Sequence, residues 1–100
     1  MKEVTIVIPN YNCGKYIVRC IYSVLAQYDV YKIIIADDCS TDNSYEVSLS
    51  TDSGCLFISN KKNLGSPSYG INKAIEMCDT KYFMHVDSDD YLAINAIKTL

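Results

Sequence analysis

Three carboxylates fall within four positions near the end of the chain. The apolar run Tyr82-Phe83-Met84-His85-Val86 stops in Asp87-Ser88-Asp89-Asp90. On an extended backbone Asp87 and Asp89 point the same way, while Ser88 and Asp90 face the opposite side. Two like charges on one side repel unless a cation joins them, and hard oxygen ligands of this kind suit Mg²⁺ or Mn²⁺, which also accept phosphate oxygens. The chemistry indicated is binding of a metal-bound phosphate compound. A bland alternative is a solvated acidic turn capping a following helix, which needs no metal. A second acidic cluster, Asp37-Asp38-Cys39-Ser40-Thr41-Asp42, also follows an apolar run, Lys32 to Ala36. Capping accounts for Thr41, Asp42 and Ser44, but not for two adjacent acids ending a strand. Residues so placed in a βα loop commonly face a ligand crevice.

These acids need a scaffold, and the rest of the sequence supplies one. Val4 to Ile8 is β-branched and is followed by Pro9-Asn10-Tyr11-Asn12, a strand opening into a polar loop. Tyr16, Ile17, Cys20, Ile21, Val24, Leu25 and Tyr28 fall on one helical stripe, with Tyr16, Tyr22 and Tyr28 expected as packing residues. Lys32–Ala36 is the second strand, and Ser44 to about Ser50 a short second helix ended by Asp52-Ser53-Gly54. Cys55 to Ser59 is the third strand. Ser66 before Pro67 marks an N-cap with proline at the first helical position, so a third helix runs from Pro67 to about Cys78 with Ala74, Ile75 and Cys78 inward. Gly65 and Gly70 permit close backbone approach, either to a phosphate at that helix start or simply in a turn and a tight helix–sheet contact. The acidic-ended run is a buried fourth strand, and a fourth helix begins near Leu92.

Strands alternating with helices, without hairpin signals, predict an α/β fold: a Rossmann-like parallel sheet with right-handed crossovers. In the order 3-2-1-4, the switch point lies between strands one and four. The Pro9–Asn12 loop and the Asp87–Asp90 loop then meet at one crevice, with Asp37-Asp38 one strand along. Independent capping acids have no reason to converge there.

The chain has 100 residues, 49% apolar and 21% charged, with a net charge of −3. That describes one globular unit, and the acidic balance disfavours nucleic acid as a partner. Five cysteines, odd in number and without C-x-x-C spacing, suggest neither a disulfide framework nor a zinc site and fit reduced thiols in the cytoplasm. Val4 to Ile8 is too short for the apolar core of a signal peptide or for a membrane span.

Four ordered blocks resemble the nucleotide-binding half of family 2 inverting glycosyltransferases with the GT-A fold. These are Val7-Ile8-Pro9-Asn10-Tyr11-Asn12, Ile35-Ala36-Asp37-Asp38-Cys39-Ser40-Thr41-Asp42, Asn63-Leu64-Gly65-Ser66-Pro67 with Asn72-Lys73-Ala74, and Asp87-Ser88-Asp89-Asp90. The resemblance implies a nucleotide-sugar donor, a UDP-sugar first, and Mn²⁺ or Mg²⁺ as cofactor. It implies that Pro9 and Tyr11 line the base pocket, that Asp38 receives the uracil N–H, that Asp87 meets the ribose and that Asp89 meets the metal. Asn63, Gly65 and Asn72 belong to the same nucleotide-binding set. Two positions depart from the pattern: Ile71 stands where many relatives carry arginine, and Cys39 where glycine is common.

The acceptor, whether saccharide, lipid-linked or protein, is left open by these residues. The family's catalytic base comes from the second half of the domain. The expectation is therefore a chain truncated before that half, binding donor without turning it over and tending to self-associate. The longer protein is expected in the cytoplasm or at the inner face of the membrane. Asp90 is expected in a supporting role because of its opposite orientation, and His85 as a packed or hydrogen-bonded core residue. A sugar-1-phosphate nucleotidyltransferase is disfavoured because Pro9 to Lys15 has only one glycine and one lysine. A non-catalytic receiver-like or nucleotide-binding module would use the same acids around Mg²⁺.

Overall fold

The computed structural model describes residues 4–27 and 30–93. Strand β1 (Val4–Asn10) is followed by helix α1 (Gly14–Leu25), β2 (Val30–Asp37), α2 (Ser44–Ser50), β3 (Leu56–Ser59), α3 (Pro67–Glu76) and β4 (Tyr82–His85). All four strands are parallel, as expected from the alternation of elements, and lie in the order β3-β2-β1-β4, as expected from the doubly wound pattern. The fourth helix expected from Leu92 falls largely on residues 94–100, outside the described residues, as does Tyr28.

Period-two alternation divides the strands between two faces. Ile6, Ile8, Ile33 and Ile35 pack with Ile17, Cys20, Ile21 and Val24 of α1 in the larger core. Val7, Ile34 and Ala36 turn to the opposite face and meet Ala74 of α3. The sheet is thus covered by α1 on one side and α3 on the other. Gly70 lets α3 come close: a Cβ there would sit 3.0 Å from the Ala36 Cβ. The helix–sheet contact is one of the two uses foreseen for this glycine.

Several expectations are corrected. Pro9 is the sixth residue of β1, paired with Ala36, rather than the start of a loop. The Val7 carbonyl accepts from Val86 N–H on the β4 side, and the Asn10 carbonyl accepts from Asp38 N–H on the β2 side. Alternation therefore turns the Pro9 nitrogen toward β4 at a point beyond β4's last residue, where no ladder donor is required. Tyr16 and Tyr22 are exposed, not packed. They flank the stripe of Ile17, Cys20, Ile21 and Val24, each about 100° around the helix from a core position, and the Tyr16 ring lies under the cations of Lys15 and Arg19. Helix α3 ends at Glu76, two residues early, and turns Gly70 and Ala74 fully inward, with Ile75 and Cys78 only half-buried. Strand β4 is not buried: Tyr82 and Phe83 are about half exposed on a strand that, among the described residues, pairs only with β1.

Candidate functional site

The C-terminal ends of β1 and β2 and the loops after β3 and β4 surround a cavity of about 520 Å³. Pro9, Tyr11, Asp38, Asn63, Gly65, Asp87 and Asp89 all line it, joined by Asn60, Ser66, Pro67 and Gly70. Asn72 does not. It sits on the exposed side of α3, two positions past Gly70 on a helix whose inward face is Gly70 and Ala74. Ile71 packs against the Val7–Ile34–Ala36–Ala74 cluster, so its position serves the core of this chain.

Strand alternation gives the adjacent acids Asp37 and Asp38 separate tasks. Asp37 shares the face of Ile35 and is buried in a polar network. Its carboxylate accepts from Asn10 Nδ2 at 2.8 Å, from the Ser40 hydroxyl at 2.6 Å and from Ser40 N–H at 2.8 Å. Asp38 follows on the face of Ala36 and reaches the cavity. It accepts from Asn60 Nδ2 at 2.8 Å, Leu64 N–H at 2.9 Å and Gly65 N–H at 3.1 Å. Burial works to raise the Asp38 carboxyl, but these three donors more than offset it and hold the group below the usual carboxylate range. Gly65 adopts φ 74°, which aims its N–H at Asp38 without a Cβ penalty. Asp38 is therefore an ionised acceptor locked in place, with its charge at the cavity wall.

The loop after β2 is anchored to the other βα loops. Asn12, at φ 53°, accepts Thr41 N–H through Oδ1 and donates its own N–H to the Ser40 hydroxyl. Asp42 accepts from Gly14 N–H at 2.9 Å and Ser44 N–H at 3.0 Å, the first residues of α1 and α2, so one carboxylate caps two helices. Burial alone would raise its carboxyl, but bonds from the Ser44 hydroxyl, Gly14 N–H and Ser44 N–H lower it. Cys39 takes φ 60°, the left-handed region that explains the glycine common at this place.

The acidic loop corrects the extended-backbone expectation. Asp90 N–H bonds the Asp87 carbonyl at 2.9 Å, closing a turn over Ser88 and Asp89. That turn rotates Asp90 to the side of its neighbours, and ligand oxygens of Asp87, Asp89 and Asp90 lie within 4.8 Å of one another. His85 is not a core residue: its side chain is 43% exposed and its Nε2 lies 2.8 Å from Asp87 Oδ1. Strand parity turned it outward, and no element covers that part of β4 among the described residues. Three exposed carboxylates held this close, beside a cavity, fit a hard divalent cation by charge and by donor type.

Asn60 and Ser40 were not anticipated as site residues, and Asn10 only as part of the Pro9–Asn12 loop. Asn60 carried one usable signal, since it ends the strand next to Asp38. The bonds of Asn10 and Ser40 join chain segments about 30 positions apart and have no local signature.

A parallel sheet in the order β3-β2-β1-β4 with polar strand ends meeting at its switch point is a doubly wound α/β architecture, the kind in which ligands bind at that crevice. The profile of "Glycosyl transferase family 2" matches residues 5–100, and the chain belongs to that family. It is 36% identical over 100 residues to glycosyltransferase GlyG of Streptococcus pneumoniae, covering 97% of this chain and 33% of that protein. It is 40% identical over 100 residues to chondroitin synthase of Escherichia coli, covering 95% and 14%. The crystal structure of S. aureus TarS 1-349 in complex with UDP superimposes with a TM-score of 0.88 at 28% identity, covering 99% of this chain and 30% of that one. The chain thus spans a third or less of the length of these relatives.

Proposed function

We propose that the crevice binds the nucleoside diphosphate of a sugar donor, UDP-sugar first, as part of a metal-dependent inverting glycosyltransferase. The observation that carries this reading is the single cavity with the locked carboxylate of Asp38 on one wall and Asp87 and Asp89 on the other. The family membership and the UDP complex of TarS support it. Asp38 is an acceptor suited to an imide N–H, and Pro9 and Tyr11 offer apolar surface to a base. Asp87 is assigned to the ribose, with His85 steadying its carboxylate. Asp89, joined by Asp90, is assigned to Mn²⁺ or Mg²⁺. Such an ion neutralises charge on a departing diphosphate. Gly65 and the α3 start at Ser66-Pro67 complete the wall, whereas Asn72 has no place in this assignment.

Residues 1–100 are proposed to bind donor, with transfer and donor hydrolysis near background. The acceptor surface and its deprotonating carboxylate are assigned to none of the residues described. All five cysteines are free thiols, which supports a cytoplasmic assignment. No helix among the described residues is long and apolar enough to cross a membrane.

Calorimetric titration with UDP, with and without Mn²⁺, tests the reading. The parent is expected to bind more tightly with Mn²⁺. Asp89→Ala is expected to lose that dependence, and Asp87→Ala to weaken UDP while keeping part of it. Without metal, Asp89→Ala should melt no lower than the parent, since removing one of three clustered like charges relieves repulsion. Full Mn²⁺-dependent binding by Asp89→Ala would refute the metal assignment, and phosphorylation of an aspartate without nucleotide would favour a receiver-like module instead.

A further inference from the structure

The acidic turn is held from behind by one face of α1. Cys20 Sγ lies 3.6 Å from the Asp87 carbonyl, and Arg19 Nη2 donates to the Asp89 carbonyl at 3.2 Å. Ser23 Oγ accepts Leu92 N–H at 2.9 Å, and Gln27 Nε2 donates to the Ala93 carbonyl at 2.9 Å. These four residues stand at i, i+1, i+4 and i+8, which is one stripe of a helix and its continuation. The order along the helix broadly follows the order along the turn, from residue 87 to residue 93.

Each contact in this ladder is to backbone. Ser23 also donates to the Cys20 carbonyl at 2.7 Å, and Gln27 to the Ser23 carbonyl at 3.2 Å, so both are fixed to the helix while they hold the turn. The Arg19 guanidinium lies 4.6 Å from the Tyr91 ring centroid, adding a second grip on the same segment. The Asp89 and Asp90 carboxylates accept no hydrogen bond among the described residues, so the oxygens a cation would need are left uncommitted.

We infer that Arg19, Ser23 and Gln27 are positioning residues that set the divalent-cation affinity of the crevice by fixing the backbone of residues 87–93, without touching metal or nucleotide. The purpose assigned to this ladder rests on the metal reading proposed above. Three like charges within 4.8 Å spread apart when their backbone is free, and outer contacts that hold metal ligands commonly change affinity by about 10–100-fold.

The test titrates Mn²⁺ into the chain saturated with UDP, following free Mn²⁺ by electron paramagnetic resonance, and measures UDP affinity without metal alongside. Arg19→Ala, at an exposed position that does not threaten folding, and Ser23→Ala and Gln27→Met are each expected to weaken Mn²⁺ by about 10-fold. Metal-free UDP affinity should change less than Mn²⁺ affinity, because the Asp38 wall is untouched and the Asp87 carbonyl is held by Cys20, which none of the three variants replaces. Thr51→Val serves as the structural control: it removes the buried Thr51–Ser48 hydrogen bond away from the turn and should lower the melting temperature while leaving Mn²⁺ affinity unchanged. Unchanged Mn²⁺ binding in all three ladder variants, or an equal loss in Thr51→Val, would overturn the inference. A parent that binds no Mn²⁺ at all would instead sink the metal reading, and the role given to the ladder with it.

Discussion

Asp38 combines a stability role and a recognition role in one side chain. Its carboxylate holds three donors from the loop after β3, and Asp38→Asn turns an amide N–H₂ toward some of them. Loss of a charge-assisted bond costs about 1.5–3 kcal/mol. The variant is expected to lower the urea midpoint and weaken UDP roughly tenfold or more; unchanged UDP affinity would return Asp38 to a purely structural role. The sign of its pH dependence follows from its lowered folded-state pKa. The Asp38 contribution is complete above the ordinary Asp value of about 3.9 and is lost as pH falls from there through the lower folded value. Urea melts between pH 6 and pH 3 should therefore fall less steeply in Asp38→Asn. Cys39 gives the opposite kind of prediction. A left-handed backbone costs a residue with a Cβ about 1–2 kcal/mol, of which glycine's added chain entropy returns about 0.5–1. Cys39→Gly should stabilise by up to about 1.5 kcal/mol, read as a higher urea midpoint at unchanged slope.

At the scale of elements, the crevice is shaped by how closely α3 can approach β2. Gly70 has Ala36 of a central strand under it, with 3.0 Å available for a Cβ. Ala36 cannot yield, because β2 is paired on both sides. Gly70→Val is expected to lift the start of α3 at an overpacking cost of about 1–3 kcal/mol. The Ser66-Pro67 wall should move with it, so the same variant should bind UDP more weakly. A parent-like midpoint in urea would mean that the helix slides freely and that the contact is loose. The contacts of α1 and of Gln27 just beyond it act in the complementary place, on the loop after β4, so the two helices position opposite walls of one cavity.

For the molecule as a whole, the exposed part is as informative as the packed part. Among the described residues strand β4 pairs on one side only, and Tyr82 and Phe83 stand half exposed on it. An unpaired strand edge with aromatic side chains promotes association. Sedimentation velocity over a rising concentration series should show dimers or larger species, and Phe83→Lys should shift them toward monomer, since a charged edge opposes pairing. A strictly monomeric parent at high concentration would contradict this expectation. The small chain intensifies the effect, because α3 covers β1 and β2 but leaves β4 bare among the described residues.

The sequence by itself determined the alternation of strands and helices and the three polar strand ends, because apolar periodicity and capping residues are local signals; the order 3-2-1-4 was expected from the doubly wound pattern, and strand pairing in the tertiary structure decided it. It also supplied the blocks that mark the family. Where the sequence-level reading failed, the deciding contacts were distant. The turn that gathers Asp90 with Asp87 and Asp89 overrode the extended-strand geometry. Tyr16, Tyr22 and His85 were turned outward because helix phase and strand parity, and the elements available to cover them, decide burial. Asn72 left the crevice because α3 is phased by Gly70 against Ala36. The separate tasks of Asp37 and Asp38, and the hold of α1 on the acidic turn, exist only once segments far apart in the chain are brought together. Hydrogen bonds of that range leave no periodicity in a sequence, and only the tertiary structure decided them.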